Sequence, residues 1–553
     1  MVTGFDPDTI KDLEGARAAI SYLLNAVEAM KVQVDQLRTE NQRLRDENNR
    51  LKGEQGQPQI KANKKEQPPS QYSSEKERRQ PKERSKKSKL AQIKIDREQV
   101  LEVAPDSLPA DAEFKGYDEV VVQDIRIKTD NVRFRKKKYY SPAEGKTYLA
   151  PLPLGYEGQF GPMIKAWIIV WYFAMTMTEP KIVAFLEAIG IFISAGQVSE
   201  IIHRQTGKLH REKQDIYEAG LRSTPGQQID DTNIRVNGQN CYTHVVCNPF
   251  YTAYFTKPHK DRLTVLQILW GDRPLSYGIN ELALAYWEQS ALPAHKREAL
   301  AGLLPPEQRL AHPEFEKLLK EQGPKLGPQQ YQSVLEGAAL AAYHTQTELP
   351  IVLLLLCDDA KQFKRITAIL ALCWVHEGRH YKKLNPAFAH HARLLDEFLT
   401  KFWAFYHQLA AYQQAPTPAE RTRLATEFDQ LFATVTGYQY LDDRIAQTRA
   451  KKNELLVVLA YPQTPLHNND AELGARHQKP KQNISFGPRT EAGAKIWDTG
   501  LTLVATAYKL GVNIFDYLYD RVSGVQQMPS LASLIELKAA EYSLILTSQS
   551  DPP

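Results

Sequence analysis

The N-terminal part of the chain carries a seven-residue hydrophobic repeat. Between residues 13 and 51, apolar side chains recur at two positions of each heptad, and Asn41 and Asn48 take the first position in the last two heptads. Branched residues at the first position with leucine at the second favour a parallel two-stranded coiled coil, in which a buried asparagine fixes the register. We therefore predict a leucine-zipper coiled coil over residues 1–52 and a homodimer formed through residues 13–51. The alternative is a lone amphipathic helix packed on the core.

The apolar pattern stops after the heptads. Residues 53–95 are rich in Lys, Arg, Pro, Gln and Ser, and the stretch from Lys61 to Lys89 has eleven basic residues against four glutamates. Such a composition predicts a disordered basic linker. Its positive charge suits a phosphate backbone, although a solvated linker without a partner is an equal alternative.

Alternating apolar and polar residues return at residues 117–149 and predict short strands. We interpret residues 96–155 as a small basic β-module. Its candidate DNA-binding residues form one basic cluster beside two tyrosines, and they are Arg133, Arg135, Lys136, Lys137 and Lys138.

Residues 156–222 are predicted to be helical. Within them, a helix, a turn around Gly190 and a second helix beginning near Ser194 have the spacing of a helix-turn-helix. Ordinary helical bundles contain such pairs too, so the spacing alone does not assign DNA binding.

Two pairs of aspartates lie at predicted strands. Asp230 and Asp231 stand in the first strand of an antiparallel meander whose turn is Asn237-Gly238. Asp358 and Asp359 follow a run of seven apolar residues that is typical of a buried strand, at the end where α/β sheets bind ligands. Helix capping is the alternative for one residue of the second pair.

A glutamate completes the acidic set. Glu472 lies in "HNNDAELGARHQKP", where Asn468 or Asn469 can cap a helix that carries Glu472 in its first turns. Hard divalent cations such as Mg²⁺ require oxygen ligands, and two ions about 4 Å apart can hold the attacking and leaving oxygens of a phosphoryl displacement. Two strand aspartates and a helical glutamate, in this order, are what a ribonuclease-H-like site needs.

The segment "CWVHEGRH" contains the H-E-x-x-H signature of zinc metalloproteases, formed by His376, Glu377 and His380. A protease needs a third metal ligand, for which Glu397 stands at a tolerable distance downstream. A zinc metalloprotease is therefore a remote alternative, and paired histidines would favour Zn²⁺. His376 is otherwise a core histidine or an auxiliary active-site group.

Composition and the N-terminal sequence indicate the cellular compartment. The 553 residues are 42% hydrophobic with a net charge of +5, and none of the four cysteines forms a C-x-x-C pair. The N-terminus has no signal-peptide pattern, and no apolar run approaches membrane-spanning length. These features predict a cytoplasmic protein without a membrane segment.

Four motifs together resemble those of the insertion-sequence-66 family of transposases. They are "DDT" from Asp230, "DDAKQF" from Asp358, "CWVHEGRHY" from Cys373 and "HNNDAELGAR" from His467, which is similar to the family pattern N-N-x-A-E-R-x-x-R. The resemblance covers most of the chain. It implies an α/β fold with a ribonuclease-H-like mixed sheet and helical insertions, and a DDE transposase that cleaves transposon ends and joins them to target DNA.

The resemblance also implies the site residues. Asp230, Asp358 and Glu472 would be catalytic and would bind two Mg²⁺ ions, for which Mn²⁺ can substitute. Auxiliary positions are Asp231, Asp359, His376 and Arg476. DNA is the implied partner, accessory proteins of the same element are possible further partners, and the expected location is the bacterial nucleoid. The alternative is a non-catalytic DNA-binding protein derived from a transposase.

Three departures from the family pattern bear on activity. Residues 97–155 contain no cysteine where relatives commonly have a four-cysteine zinc module. Leu473 replaces the arginine that usually follows the catalytic glutamate, and Gly378 replaces one arginine of C-W-A-H-x-R-R. Loss of these cations would weaken contacts to DNA phosphate.

The predicted catalytic domain is interrupted twice, because 128 residues separate Asp230 from Asp358 and the intervening sequence has helical periodicity. The predicted segments are catalytic parts at 223–271 and 349–384, helical insertions at 272–348 and 385–455, catalytic and C-terminal helices at 456–525, and a tail at 526–553.

Overall fold

The computed structural model describes residue 10 and residues 12–52, 93–109 and 112–550. Helix α1 (Leu13–Leu51) matches the bounds of the predicted heptad segment. Its apolar seam is open, with Ile20 58% and Leu37 69% exposed. The helix prediction is confirmed, and the described part of the chain leaves the seam uncovered. The predicted basic linker lies outside the described residues except for residues 93–95.

The face of α1 opposite the seam packs against the second helical insertion. Ser21 Oγ and Asn25 Nδ2 donate to the carbonyl oxygen of Gly437 at 3.0 and 2.8 Å. Glu28 is 3% exposed, and its Oε2 lies 2.9 Å from Nδ1 of the fully buried His391. Because helix faces repeat every three to four residues, these side chains lie on the far side of the helix from the seam. The described part of the chain covers one face of α1 and leaves the seam exposed.

The predicted β-module forms one hairpin. Its strands are β1 (Lys138–Ser141) and β2 (Lys146–Leu149), which pair antiparallel. Residues 112–137 contain no strand, although their alternation predicted strands from residue 117. Several apolar side chains of this stretch are largely exposed, with Val122 at 80% and Ile125 at 83%. The Phe134 ring does pack edge-on against Tyr156. Alternation alone does not make a strand when no neighbour supplies hydrogen bonds.

Four helices precede the central sheet: α2 (Pro162–Phe173), α3 (Glu179–Ala188), α4 (Ala195–Gly207) and α5 (His210–Ser223). The turn between α3 and α4 contains Gly190 at a φ of 83°. Helix α4 begins after Ser194, whose hydroxyl accepts a hydrogen bond from the amide of Gln197 at 3.2 Å. The predicted helix-turn-helix spacing is therefore present, with a capping box at the second helix.

The central sheet has five strands in the order β5-β4-β3-β8-β9. An antiparallel meander supplies β3 (Gly226–Val236), β4 (Gln239–Asn248) and β5 (Tyr251–Lys257). Asn237 and Gly238 both have positive φ, at 50° and 77°, as the predicted two-residue turn requires. The short strands β8 (Leu354–Cys357) and β9 (Ile369–Leu372) continue the sheet in parallel with β3. The fold is thus mixed α/β.

A helix protects the β5 edge of this sheet. In helix α18 (Glu491–Leu510), Asp498, Thr502 and Thr506 lie four residues apart and face β5. Their side-chain oxygens accept hydrogen bonds from the β5 amides of Thr256, Tyr254 and Thr252 at 2.7, 3.1 and 3.3 Å. One helical turn is about as long as two strand residues, so each side chain meets an outward amide. The edge strand therefore has no open row of donors.

The first insertion separates β5 from β8. Helix α6 (Arg262–Leu269) follows β5 and precedes this insertion. The insertion comprises β6 (Ser276–Tyr277), α7 (Glu281–Gln289), α8 (Ala294–Ala301), β7 (Leu310–Ala311), α9 (His312–Gln322) and α10 (Pro328–His344). Apart from a two-residue strand pair it is helical, as predicted.

Helix α11 (Trp374–Lys382) follows β9 and leads into the second insertion. This insertion comprises α12 (Ala389–Gln414), α13 (Pro418–Leu431), α14 (Gln439–Arg449) and α15 (Lys452–Leu455), and the short helix α16 (Val457–Ala460) follows it. The chain closes with α17 (Asn469–Ser485), α18 (Glu491–Leu510), α19 (Ile514–Ser523) and α20 (Leu531–Ser550). None of the helices in the described ranges is both long and apolar enough to cross a bilayer.

Candidate active site

Two adjacent parallel strands lead to the first two acids. Strands β3 and β8 are parallel, with Gln227 opposite Leu355 and Gln228 opposite Leu356. Asp230 and Asp358 each follow two residues after the last paired couple, Asp230 within β3 and Asp358 just past the end of β8. Neighbouring strands lie about 4.8 Å apart. The Asp358 carboxylate is near enough to contribute to the raised pKa of Asp230.

Helix α17 brings the third acid to this position. The side chain of Asn468 does not cap the helix but donates from Nδ2 to the carbonyl oxygen of Ile229 at 2.7 Å, and its amide donates to Cys373 Sγ at 3.2 Å. One residue thus ties the start of α17 to β3 and to the start of α11. Helix α17 then runs close over the sheet, since a Cβ at Gly474 would lie 2.7 Å from Val245 Cγ1. Glu472 is 9% exposed in its first turn.

The three acids influence one another electrostatically. Burial raises the pKa of Asp230 to about 7, and the carboxylates of Glu472 and Asp358 add to the increase. Like charges held together in a half-buried site are unfavourable without a cation. Carboxylate oxygens are the ligands that Mg²⁺ and Mn²⁺ prefer, so a divalent ion would relieve this repulsion. In the part of the chain that the structure describes, the group of possible ligand atoms within 4.8 Å of one another is instead formed by Cys373, His376 and Glu472.

Cations and a histidine surround Glu472. Arg379 Nη2 and Arg476 Nη2 lie 3.0 and 3.3 Å from Glu472 Oε2, and His376 Nε2 lies 3.6 Å from Oε1. Burial lowers the pKa of His376, so the ring carries little charge near pH 7. Two of the predicted auxiliary residues, His376 and Arg476, are therefore at the site.

The neighbouring aspartates are engaged elsewhere. Asp231 Oδ1 lies 3.3 Å from Lys260 Nζ, and Asp231 Oδ2 accepts a hydrogen bond from Gln362 at 2.8 Å. Asp359 is paired with Lys364 and Lys451 at 2.8 and 2.6 Å. These lysines hold the pKa of Asp359 below its usual range against the opposing effect of burial. Within each pair, the geometry favours Asp230 and Asp358 as the acids of the cluster.

The H-E-x-x-H segment forms a different arrangement from a protease site. Glu377 is 3% exposed and is paired with Arg444 and Lys451. Among the described residues, the cluster of ligand atoms within 4.8 Å of one another comprises Cys373, His376 and Glu472, without His380. Glu397, the suggested third ligand, is exposed. A base at Glu377 would have to act from inside a buried ion-pair network, which argues against a protease.

The five candidate DNA-binding residues of the β-module are all exposed. They lie on the segment that leads into β1 and are Arg133, Arg135, Lys136, Lys137 and Lys138. They are accessible to a large polyanion.

Arg379 was not among the predicted site residues. It occupies the second arginine position of the family pattern C-W-A-H-x-R-R, and that position is the feature of the sequence that could have identified it. Gly378 occupies the first, where a Cβ would lie 2.7 Å from Trp403 Cζ2 in α12. The close packing of α11 on the second insertion leaves no room there for the usual arginine.

The model of the transposase IS66 family matches residues 157–279 and 340–496, which together make up half of the chain. The chain belongs to this family. The matched segments contain all three acids, and the gap between them corresponds to helices α7 to α9 and the start of α10 in the first insertion. The family membership indicates a transposase-related function.

A relative from Sinorhizobium fredii, named uncharacterized protein y4jO, is 31% identical over 333 residues. The alignment covers 59% of this chain and 100% of the relative.

Proposed function

We propose that this chain is a DNA transposase whose ribonuclease-H-like catalytic domain uses Asp230, Asp358 and Glu472 to bind two Mg²⁺ ions. The observation that supports the proposal is that the carboxylates of Glu472 on α17 and Asp358 at the end of β8 add to the raised pKa of Asp230 on β3, so the three acids are within electrostatic reach. Family membership supports a DDE-type enzyme. Two bound ions would supply activation of a water or a DNA 3′-hydroxyl and stabilisation of the leaving oxygen.

The protein groups would prepare the site for that chemistry. Asp230 has a pKa of about 7, so it must release its proton before it can serve as a full anionic ligand. Arg379 and Arg476 hold the Glu472 carboxylate and add positive charge beside it. A guanidinium at this point suits a DNA phosphate, which it can contact through two parallel hydrogen bonds.

A homodimer through α1 is part of the proposal. Its support is the heptad pattern and the exposure of the seam, and the far face of the helix is already taken up by Gly437 and His391. A parallel coiled coil would hold two catalytic domains together, which suits the joining of two DNA ends. The exposed basic residues of the module and the helix-turn-helix pair would bind DNA outside the catalytic site.

An Asp358→Asn variant tests the catalytic role. The substitution keeps the size of the side chain and removes the charge that binds metal. A donor plasmid carrying the genomic DNA that flanks the gene is incubated with the protein, Mg²⁺ and a target plasmid, and joined products are quantified. We expect strand transfer to fall by at least about 1,000-fold while binding to the flanking DNA persists.

The control is Asp359→Asn, because Asp359 is paired with two lysines instead of with the acidic cluster. It should retain strand transfer. Equal losses in both variants would contradict the assignment within the pair. An unmodified chain that binds the DNA but never joins it would instead support a non-catalytic DNA-binding protein.

A further inference from the structure

The outer face of α17 is positively charged and ends on an exposed aromatic ring. From Leu473 to Thr490 the sequence contains four Lys or Arg residues and no Asp or Glu. Arg476 and Lys479 are exposed on this face, whereas Lys481 is buried and its pKa is lowered to about 7 by burial. Glu472 stands one turn before Arg476 on the same side of the helix and is paired with it at 3.3 Å. Exposed positive charge therefore continues along the helix from the acidic cluster at Arg476 and Lys479.

Phe486, at the end of this face, has an exposed side chain and an unfavourable backbone conformation. Its side chain is 87% exposed. Its backbone is left-handed, with a φ of 59°, at the position where helices usually end on glycine. A bulky side chain with positive φ costs conformational energy, and an exposed ring gains nothing from burial. Neither folding nor packing within the described chain explains a phenylalanine here.

The backbone on both sides of the exposed Phe486 ring is held in place. The amide of Phe486 donates to the carbonyl oxygen of Gln482 at 2.8 Å. On the other side, a Cβ at Gly487 would collide with the carbonyl oxygen of Arg235, and Pro488 accepts a hydrogen bond from the Asn237 amide at 3.1 Å. The β3–β4 turn therefore holds the backbone that presents Phe486. A ring that is held outward is suited to contact a flat partner.

We infer that the outer face of α17, from Arg476 to Phe486, binds a DNA strand leading to the acidic cluster, with the Phe486 ring stacked on one base. The inference rests on the proposed function and extends it to the path of the substrate. Charge complementarity selects a nucleic acid, because a basic surface with an aromatic platform is how single strands are held.

The length of α17 gives the distance between the acidic cluster and Phe486. Fourteen residues separate Glu472 from Phe486. At a helical rise of 1.5 Å per residue this is about 21 Å. A DNA strand covers that length in about six nucleotides at roughly 3.4 Å each. The stacked base therefore lies about six nucleotides from the phosphodiester at the acidic cluster.

The test uses the full chain and a fluorescein-labelled single-stranded 20-mer of mixed sequence, with its duplex form for comparison. Anisotropy is measured in Ca²⁺ at several salt concentrations, so that no catalysis is required. Phe486→Gly removes the ring and suits the left-handed backbone, so the variant should unfold at a temperature no lower than that of the unmodified chain. We expect its single-strand affinity to fall about tenfold, with an unchanged salt dependence.

Matched variants separate stacking from other effects. Phe486→Trp should retain the affinity, and Ile484→Ala, which removes a half-exposed aliphatic side chain nearby, should leave it unchanged. Lys479→Gln should reduce the slope of log affinity against log salt by about 0.7, the contribution of one phosphate contact on a single strand.

Three outcomes would overturn the inference. They are unchanged single-strand binding by Phe486→Gly, no single-strand binding by the unmodified chain, and a loss of dimer mass in Phe486→Gly, which would assign the ring to a protein contact. None of them bears on the Asp358→Asn assay, because that assay measures strand joining. Failure of the inference can therefore be told apart from failure of the proposed function.

Discussion

Arg379 is paired with the Glu472 carboxylate, with Nη2 of the arginine 3.0 Å from Oε2 of the glutamate. Its other terminal nitrogen, Nη1, lies 3.0 Å from Nε2 of His376. The guanidinium thus holds the helical acid of the cluster from the side of α11. A divalent ion approaching Glu472 meets this positive charge at the same carboxylate, so the arginine and the metal ion oppose each other electrostatically.

An Arg379→Gln variant should therefore bind metal more tightly. Removal of one nearby positive charge in a half-buried site should increase Mn²⁺ affinity about five- to tenfold, measured by calorimetric titration. Strand transfer should nevertheless decrease, because the phosphate loses a guanidinium partner. Arg476→Gln is the matched control, and its effect on Mn²⁺ affinity should be smaller because the Arg476 side chain is 56% exposed. Unchanged metal affinity in Arg379→Gln would separate Glu472 from the metal site.

Asp230 gives a prediction for the pH dependence of stability. Its pKa of about 7 in the folded chain lies above the ordinary aspartate value of 3.8. The folded state therefore holds this proton more tightly, and its stabilising effect is complete below pH 3.8 and is lost as the pH rises to about 7. Each unit of difference corresponds to about 1.4 kcal/mol, so the loss amounts to a few kcal/mol at most.

Asp230→Asn should remove this contribution. In metal-free buffer the variant should be more stable than the unmodified chain at pH 8, and the difference should shrink toward pH 4, as measured by urea unfolding. Added Mg²⁺ should stabilise the unmodified chain at pH 8 and leave the variant little changed. A difference that is constant from pH 4 to pH 8 would contradict the raised pKa.

Sequence patterns predicted those elements that are determined by residues close together in the chain. The heptad repeat gave α1 with its bounds, and Asn237-Gly238 gave the β3–β4 turn, because each signal lies within the element it forms. The meeting of Asp230 and Asp358 has no local signal. It depends on the parallel pairing of β3 and β8 across a 128-residue separation, so only the resemblance to a family predicted it.

Two features were not predictable because their partners are distant in the sequence. Glu28 belongs to the polar side of the heptad and reads as a solvated residue, yet His391 and Tyr438 from the second insertion bury it. Residues 117–137 read as strands, but no strand partner reaches them in the described chain. Tertiary contacts therefore bury a residue that the pattern predicts to be exposed, and their absence in the described chain leaves a predicted strand unformed.

Glu377 provides a test that separates structure from protease chemistry. Glu377→Gln should deprive Arg444 of its buried carboxylate partner and leave Lys451 paired with Asp359 alone, and it should destabilise the chain by about 3 kcal/mol in urea unfolding. The exposed Glu397→Gln is the control and should unfold like the unmodified chain. If Glu377→Gln has normal stability but loses a zinc-dependent peptidase activity, the protease alternative would be restored.

The two faces of α1 predict two separable defects. Leu37→Asp places a charge in the exposed seam, so it should convert a dimer to a monomer in light scattering while α1 stays docked on the second insertion. Glu28→Ala removes the partner of His391 from the opposite face and should increase amide exchange in α1 and around Gly437, while the dimer persists. Because the two sets of side chains lie on opposite sides of one helix, neither variant should produce the other's defect. Loss of the dimer in Glu28→Ala would mean that docking on the insertion is a condition for pairing, and the seam would then not be an independent interface.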